Sequence, residues 1–336
     1  MPENFCLIEN YEEVARFLVD LRRSITNSGN KLEALRIEGG FRRKDRRRQI
    51  EIDNYVDFAS MKRITPAAAL MLASEYDRAI TIFKAPNWLR AVNIEKWSEE
   101  VVTTLDEVGF LDLLGVDSRL SSIVVRDGKY IVPFLTGAKV HGVTIDKLIR
   151  AMAELADSSG GHNSEELLQR SRVYDGLGEA IQNVEDHAYP TGAFEDEPVA
   201  KKWWMTGSVE PSNKRFTVVI YDHGVSIPVS LPRWQRFAEF CSAFATTVGI
   251  EYDPNASKHD GEAIANAVQL GRTSTGKAWH GKGLPLIRDI VENCAGGTLR
   301  IFSRCGVYTY APGKDAEYSS NEVQISGTLV EWDLFL

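Results

Sequence analysis

Residues 178 to 190 read GEAIQNVEDHAYP and set Glu179, Asn183 and His187 four residues apart. On a helix that spacing lines up a carboxylate, a carboxamide and an imidazole, and the row sits about 120° around from the apolar face formed by Val173, Leu177, Ala180, Val184 and Ala188. Groups flanking a buried stripe are placed to line a cleft, although a surface helix can carry such a row for no reason. A second candidate is RFTVVIYDHGVSIP at 215 to 228, where an apolar run stops abruptly at Asp222 and Gly224. A carboxylate there can accept a hydrogen bond from a ligand amine, and the glycine lets a flat ring approach; a strand-ending Asx turn explains the same residues. The third is GRTSTGKAWHGKGLPLIRDIV at 271 to 291. It combines Gly271, Gly276, Gly281 and Gly283 with Thr273, Ser274 and Thr275 and the cations Arg272, Lys277 and Lys282, just before an amphipathic helix whose N-terminus suits an anion. The piece GRTSTGKA nearly fits a P-loop, but Ala278 stands in place of the magnesium-binding hydroxyl and the preceding DGEAIANAVQL patterns as a helix, not a strand.

The elements that must position these residues change character along the chain. In the first third, LRIEG, QIEIDNYVDF and TIFKAP pattern as strands, and PAAALMLASEYDRAI and VVTTLDEVGFLDLLGV as helices, so a sheet covered by helices is expected. A boundary falls near 120 to 140, dividing the chain into domains 1–130 and 131–336. Beyond it the segment DSRLSSIVVRDGKYIVPFLTG has a DG turn between two β-like runs, and the helix TIDKLIRAMAELAD and a loop at 158 to 166 follow. The second half places strands KKWWMTGSV and RFTVVIYD after the Glu179 helix, then a helical section from about 233 to 247, DGEAIANAVQL, LPLIRDIVENCA, and the β-like runs TLRIFS, VYTYA and VQISGTLVEWDLF. Helices segregated from a mixed sheet make an α+β sandwich.

Composition narrows the function classes. At 336 residues with 43% hydrophobic and 26% charged residues, the chain is an ordinary globular one with room for two domains. No apolar run approaches the roughly 18 residues of a membrane span, and the acidic start lacks signal-peptide features, so no membrane association is expected. Cys6, Cys241, Cys294 and Cys305 form no CxxC pair, which leaves neither a zinc site nor a disulfide framework and points to the reduced cytoplasm. A net charge of −8 argues against nonspecific nucleic-acid binding by the whole molecule. The run from Arg42 to Arg48, six basic residues in seven, reads as a solvated hairpin loop or as a contact for nucleic acid or an acidic partner.

Taken in order, the three chemical segments resemble the GHKL ATPases, the superfamily that includes gyrase, Hsp90 and histidine kinases. EAIQNVEDHA looks like the Asn-containing box, most similar to that of anti-sigma-factor serine kinases; DHGVSIP looks like the first glycine box, GKGLPLI like the second, and ISGTLVEWDL like the terminal strand with its GT pair. The likeness spans about residues 165 to 336. Ser226 and Pro285 depart from it, each replacing a glycine. The region around VDFASMKRITPAAALMLASEYDRA more loosely resembles a STAS domain over residues 30 to 118, with Ser60 and Thr65 nearest its phosphorylation loop; a helix N-cap is the plainer role for Thr65.

The resemblance implies a C-terminal Bergerat-type α/β sandwich, a mixed sheet with helices on one face, preceded by a small STAS-like α/β domain. It implies Mg²⁺ and ATP as ligands: Asn183 as the metal ligand, Glu179 as the general base, Asp222 reading the adenine amino group with Gly224 and Thr328 beside it, and the loop containing Gly271, Thr273, Gly281, Lys282, Gly283 and Leu284 as the ATP lid. His187 matches a frequent basic position of the kinase-type box without an evident task. Slow ATP hydrolysis in a nucleotide-dependent switch, serine/threonine kinase activity, and an ATP-gated interaction module without catalysis are all consistent with this pattern. A protein partner is expected, and a homodimer is compatible with it.

Overall fold

A computed structural model describes residues 1–37, 54–85, 89–116, 128–158, 163–170, 172–195, 199–272 and 283–336. The chain divides into two compact units, Met1–Val125 with Pro198–Ala200, and Arg126–Glu197 with Lys201–Leu336.

The first unit runs β1 (Asn4–Phe5), α1 (Tyr11–Ile37), β2 (Asn54–Val56), β3 (Arg63–Ile64), α2 (Pro66–Phe83), β4 (Leu89–Ala91), α3 (Glu99–Glu107) and α4 (Phe110–Leu113). Two short parallel pairs form, β1 with β3 and β2 with β4. Helix α2 starts as its sequence dictates: extended Thr65 accepts the N–H of Ala68 on its hydroxyl, and Pro66 occupies the first turn. Thr65 is therefore a cap, while Ser60 is exposed in the turn that precedes β3. The alanine-rich face of α2 is buried, and within it Glu75 pairs with Arg22 of α1 and with Arg78. Two expected strands are helical instead. Leu35–Ile37 of LRIEG ends α1, and Thr81–Phe83 of TIFKAP ends α2, which stops only at the left-handed Lys84. After Pro66 in the first turn, no proline or glycine interrupts α2 before Lys84, so the helix carries through residues of high β propensity. VVTTLDEVGFLDLLGV forms two helices, broken at Gly109, not one. The Arg42–Arg48 run lies outside the described residues.

The second unit contains β5 (Tyr130–Gly137), α5 (Gly142–Ser158), α6 (Ser164–Arg170), α7 (Val173–Asn183), β6 (Trp203–Glu210), β7 (Arg215–Asp222), α8 (Ile227–Ser230), α9 (Phe237–Val248), α10 (Asp260–Arg272), α11 (Gly283–Glu292), β8 (Gly296–Ser303), β9 (Gly306–Tyr310), β10 (Glu317–Ser320) and β11 (Thr328–Phe335). Its strands form one seven-stranded sheet in the order β10-β9-β8-β11-β7-β6-β5. Every neighbouring pair is antiparallel, which corrects the expectation of a mixed sheet. The links explain why: β6 to β7 and β8 to β9 are too short for the crossover that a parallel pair needs, and β11 inserts between β7 and β8 running against both.

Side-chain alternation orients this sheet. Val330, Trp332 and Leu334 of β11 join Val218 and Ile220 of β7 in one core, which Leu177 and Ile181 of α7 and Ile287 and Ile290 of α11 complete. Trp332 is fully buried and still satisfies its indole by donating to the carbonyl of Ile287 at 2.6 Å. Burying each such large side chain contributes about 1.5–3 kcal/mol, so α7 and α11 are clamped to the sheet mainly by apolar packing. The intervening residues of β11 are charged: Glu331 pairs across the strand with Arg300 at 2.8 Å, and Asp333 takes two hydrogen bonds from Arg215 at 2.6 and 2.7 Å. Among the described residues no helix is long and apolar enough to cross a membrane, and none of the four cysteines forms a disulfide.

Candidate functional site

Helix α7 buries Val173, Leu177, Ala180 and Ile181 and leaves Glu179 and Asn183 half-buried at its edge. The regular helix ends at Asn183, and Val184–Ala188 form one wider π turn instead of a further α turn. Such turns insert a residue into the helical register and recur at functional sites. The straight row expected from four-residue spacing is therefore broken after its second member: Glu179 and Asn183 share the α-helical edge, whereas His187 follows on the π turn and is exposed. Burial, then the nearby charges of Asp175 and Asp186, push the Glu179 carboxyl above its ordinary value. A carboxylate of raised basicity is a better proton acceptor.

Asp222 ends β7 and is buried. Its carboxylate accepts the N–H of Gly224 at 2.6 Å and the backbone N–H of Thr328. Burial outweighs these two donors and pushes the carboxyl up to about 7. The strand-ending turn is thus present, on a residue that also lines a cavity. The surrounding glycines are required by space. A Cβ on Gly224 would collide with the backbone of Ala188, whose carbonyl also takes the N–H of Val225 at 2.9 Å. A Cβ on Gly327 would collide with the Asp222 carbonyl and stand 2.8 Å from its Oδ1, at a left-handed φ of 70°. Gly327→Ala is expected to destabilise the protein by about 3 kcal/mol, because the Asp222 backbone must give way and the left-handed φ is strained for alanine; urea unfolding measures this, and a change below about 1 kcal/mol would contradict the close approach.

Further polar contacts fix the neighbouring backbone. The Ser303 hydroxyl accepts the N–H of Ile227 at 2.8 Å and lies 2.8 Å from the Thr328 hydroxyl. Tyr189, just past the π turn, takes the N–H of His223 on its hydroxyl at 3.0 Å and donates to the Lys202 carbonyl at 2.6 Å. The end of α7, the end of β7 and the start of β11 are in this way tied to each other.

These segments enclose a cavity of about 1110 Å³. Glu179, Asn183, His187, Asp222, Thr328 and Leu284 all line it, so six residues singled out in the sequence share one wall system. Gly224 lies behind it, packed on Ala188. Ile220, Ile227 and Val330 supply apolar surface, and Arg172, Arg233, Trp234 and Arg236 contribute a cationic and aromatic part that the sequence reading passed over. The signal for the last three was the cluster LPRWQR at 231 to 236, which lies between two motifs and belongs to neither. Arg236 is braced by Glu239 and by the Leu270 carbonyl, which it reaches at 2.8 Å.

The glycine-rich segment is placed differently from the expected loop at its two ends. Gly271 belongs to α10 and Gly283 opens α11, because the periodic apolar residues on each side extend their helices to these positions. Thr273, Gly281 and Lys282 lie outside the described residues. The helix ending at Arg272 is incompatible with the strand that a P-loop requires. Among the described residues no group of three or more His, Cys, Asp or Glu side chains converges as a metal cage. No family model matches the chain, and no curated protein matches it by sequence.

Proposed function

We propose that the second unit binds Mg²⁺-ATP in this cavity, in the manner of a GHKL-type Bergerat domain, and hydrolyses it slowly as a nucleotide-dependent switch. The reading rests on one observation: Glu179, Asn183, Asp222 and Thr328, from three segments far apart in the chain, line a single cavity of about 1110 Å³. That volume admits a ligand the size of a nucleotide. Asp222 accepts the base amino group, with Thr328 beside it, while Ile220, Ile227 and Val330 offer apolar surface to the ring.

Asn183 provides a neutral carbonyl oxygen for Mg²⁺, a hard ion that is commonly held by few protein ligands together with waters and substrate phosphates, so the lack of an acidic cage among the described residues is no obstacle. The cation would neutralise charge on the transferred phosphoryl group. Glu179, one turn before Asn183 and with raised basicity, orients and deprotonates the attacking water. Arg172, Arg233 and Arg236 supply positive charge for the phosphates. The first unit, with its strand, turn and capped helix α2, acts in this reading as a STAS-like regulatory module that passes the nucleotide state to a protein partner. Isothermal titration with ATP should show binding that weakens when Mg²⁺ is removed. The reading fails if no Mg²⁺-dependent affinity is found.

A further inference from the structure

Three arginines line the cavity, and two of them are already committed within the protein. Arg172, just before α7, donates to Asp175 at 2.9 Å, and Arg236 donates to Glu239 at 2.6 Å and to the Leu270 carbonyl at 2.8 Å. Among the described residues no carboxylate or carbonyl takes a hydrogen bond from Arg233, although it lines the same cavity. An arginine without an internal partner keeps its donors for an anion, and its planar fork suits a phosphate.

The backbone that carries Arg233 is constrained. Leu231–Arg233 form a 3₁₀ turn that contains Pro232 and is closed by the N–H of Trp234 on the Leu231 carbonyl at 2.9 Å. Leu231 is buried with Phe240, Phe244 and Ala263, which anchors the turn. Just ahead of it, α8 packs against the π turn that follows Asn183. Burial orders the cavity wall: Asp222 is 5% exposed, Glu179 and Asn183 are half-buried, and Arg233 is exposed. A nucleotide with its base on Asp222 and its Mg²⁺ on Asn183 therefore runs from the buried end towards the rim, and its last phosphate comes nearest Arg233. We infer that Arg233 is a specificity-determining residue that reads the γ-phosphate and makes the site select a nucleoside triphosphate over the diphosphate. This rests on the nucleotide reading above, yet Arg233 lies in LPRWQR, outside every motif that carries the resemblance. A nucleotide-dependent switch needs a contact that exists with ATP and not with ADP, because only differential affinity shifts an equilibrium.

The test compares wild type, Arg233→Ala and Arg233→Lys by calorimetric titration with Mg²⁺ and a nonhydrolysable ATP analogue, and with Mg²⁺-ADP. Arg233→Ala should bind the ATP analogue about 10- to 100-fold more weakly, the effect of lost charge-assisted hydrogen bonds, and ADP within about twofold of wild type. Arg233→Lys should recover part of the loss, since an ammonium keeps the charge without the fork. Melting temperatures without ligand should agree within about 1 °C because Arg233 is exposed, so lost affinity is not lost folding. Unchanged affinity of Arg233→Ala for the ATP analogue overturns the inference, as does an equal loss for ADP, which would put Arg233 on the inner phosphates. If wild type binds neither ligand, the nucleotide reading itself falls, and this inference falls with it.

Discussion

Asp222→Asn should lose about 100-fold or more in ATP affinity and yet give a more stable unliganded protein at alkaline pH. The two effects have one cause. In the folded chain the Asp222 carboxyl holds its proton up to about pH 7 because it is buried, against an ordinary value of 3.8. Between those values the folded state binds the extra proton and the unfolded state does not. Stability from this group is therefore full below about pH 3.8 and is lost as pH rises through 7. Asparagine keeps an oxygen for the Gly224 N–H but has no charge to bury. The variant should overtake wild type by about 1–4 kcal/mol at pH 8, with little difference near pH 4. Its amide also confronts the ligand amine with a second donor, which explains the lost affinity. Urea unfolding across this range, paired with calorimetry, checks both halves; a stability gap that does not grow with pH would contradict the burial argument.

The second large effect is on turnover. Glu179→Gln should lower ATP hydrolysis by about 100-fold or more while leaving ATP affinity near wild type, since glutamine can hold a water but cannot take its proton. The pH profile of wild type carries the same information. The Glu179 carboxyl is raised first by burial and then by Asp175 and Asp186, so it ionises at a higher pH than an ordinary glutamate. Hydrolysis should decline as pH falls through that elevated point, and the decline should vanish from the residual activity of Glu179→Gln. A steady-state assay of released phosphate reads both. Equal loss of affinity and turnover would instead assign Glu179 to binding.

How far the fold was legible depends on how locally each element is determined. Strand β7 matches the expected RFTVVIYD, because the apolar run Val218–Tyr221 at its centre is buried and leaves little choice. Thr65 and Pro66 announced the start of α2 for an equally local reason. Strand β10 was missed since EYSS is a polar, mostly exposed edge segment with no apolar period to read. Strand direction was also hidden: apolar runs do not record which partner they meet, and the β8–β9 hairpin turns through Arg304 and Cys305, not a glycine-bearing turn. Arg304 holds its left-handed φ of 56° while its guanidinium is tied to buried Asp260 and to the Pro254 carbonyl, a tertiary arrangement that local sequence does not encode.

The candidate site was legible where motifs carry their own spacing, as in Glu179, Asn183, Asp222 and Thr328. The π turn was not, because Val184 to Ala188 continue the helical apolar pattern while the backbone departs from it. Arg172, Arg233 and Arg236 escaped notice because only the fold brings them to the cavity. Ser226 showed in the sequence as a departure from a motif, and its backbone keeps a positive φ of 81°.

The most direct measurement is a crystal structure of the full chain with Mg²⁺ and a nonhydrolysable ATP analogue. The base amino group is expected on Asp222 with Thr328 beside it, Mg²⁺ on Asn183, and Glu179 facing the γ-phosphate. An analogue bound elsewhere, or a cavity without nucleotide at saturating concentrations, would contradict it.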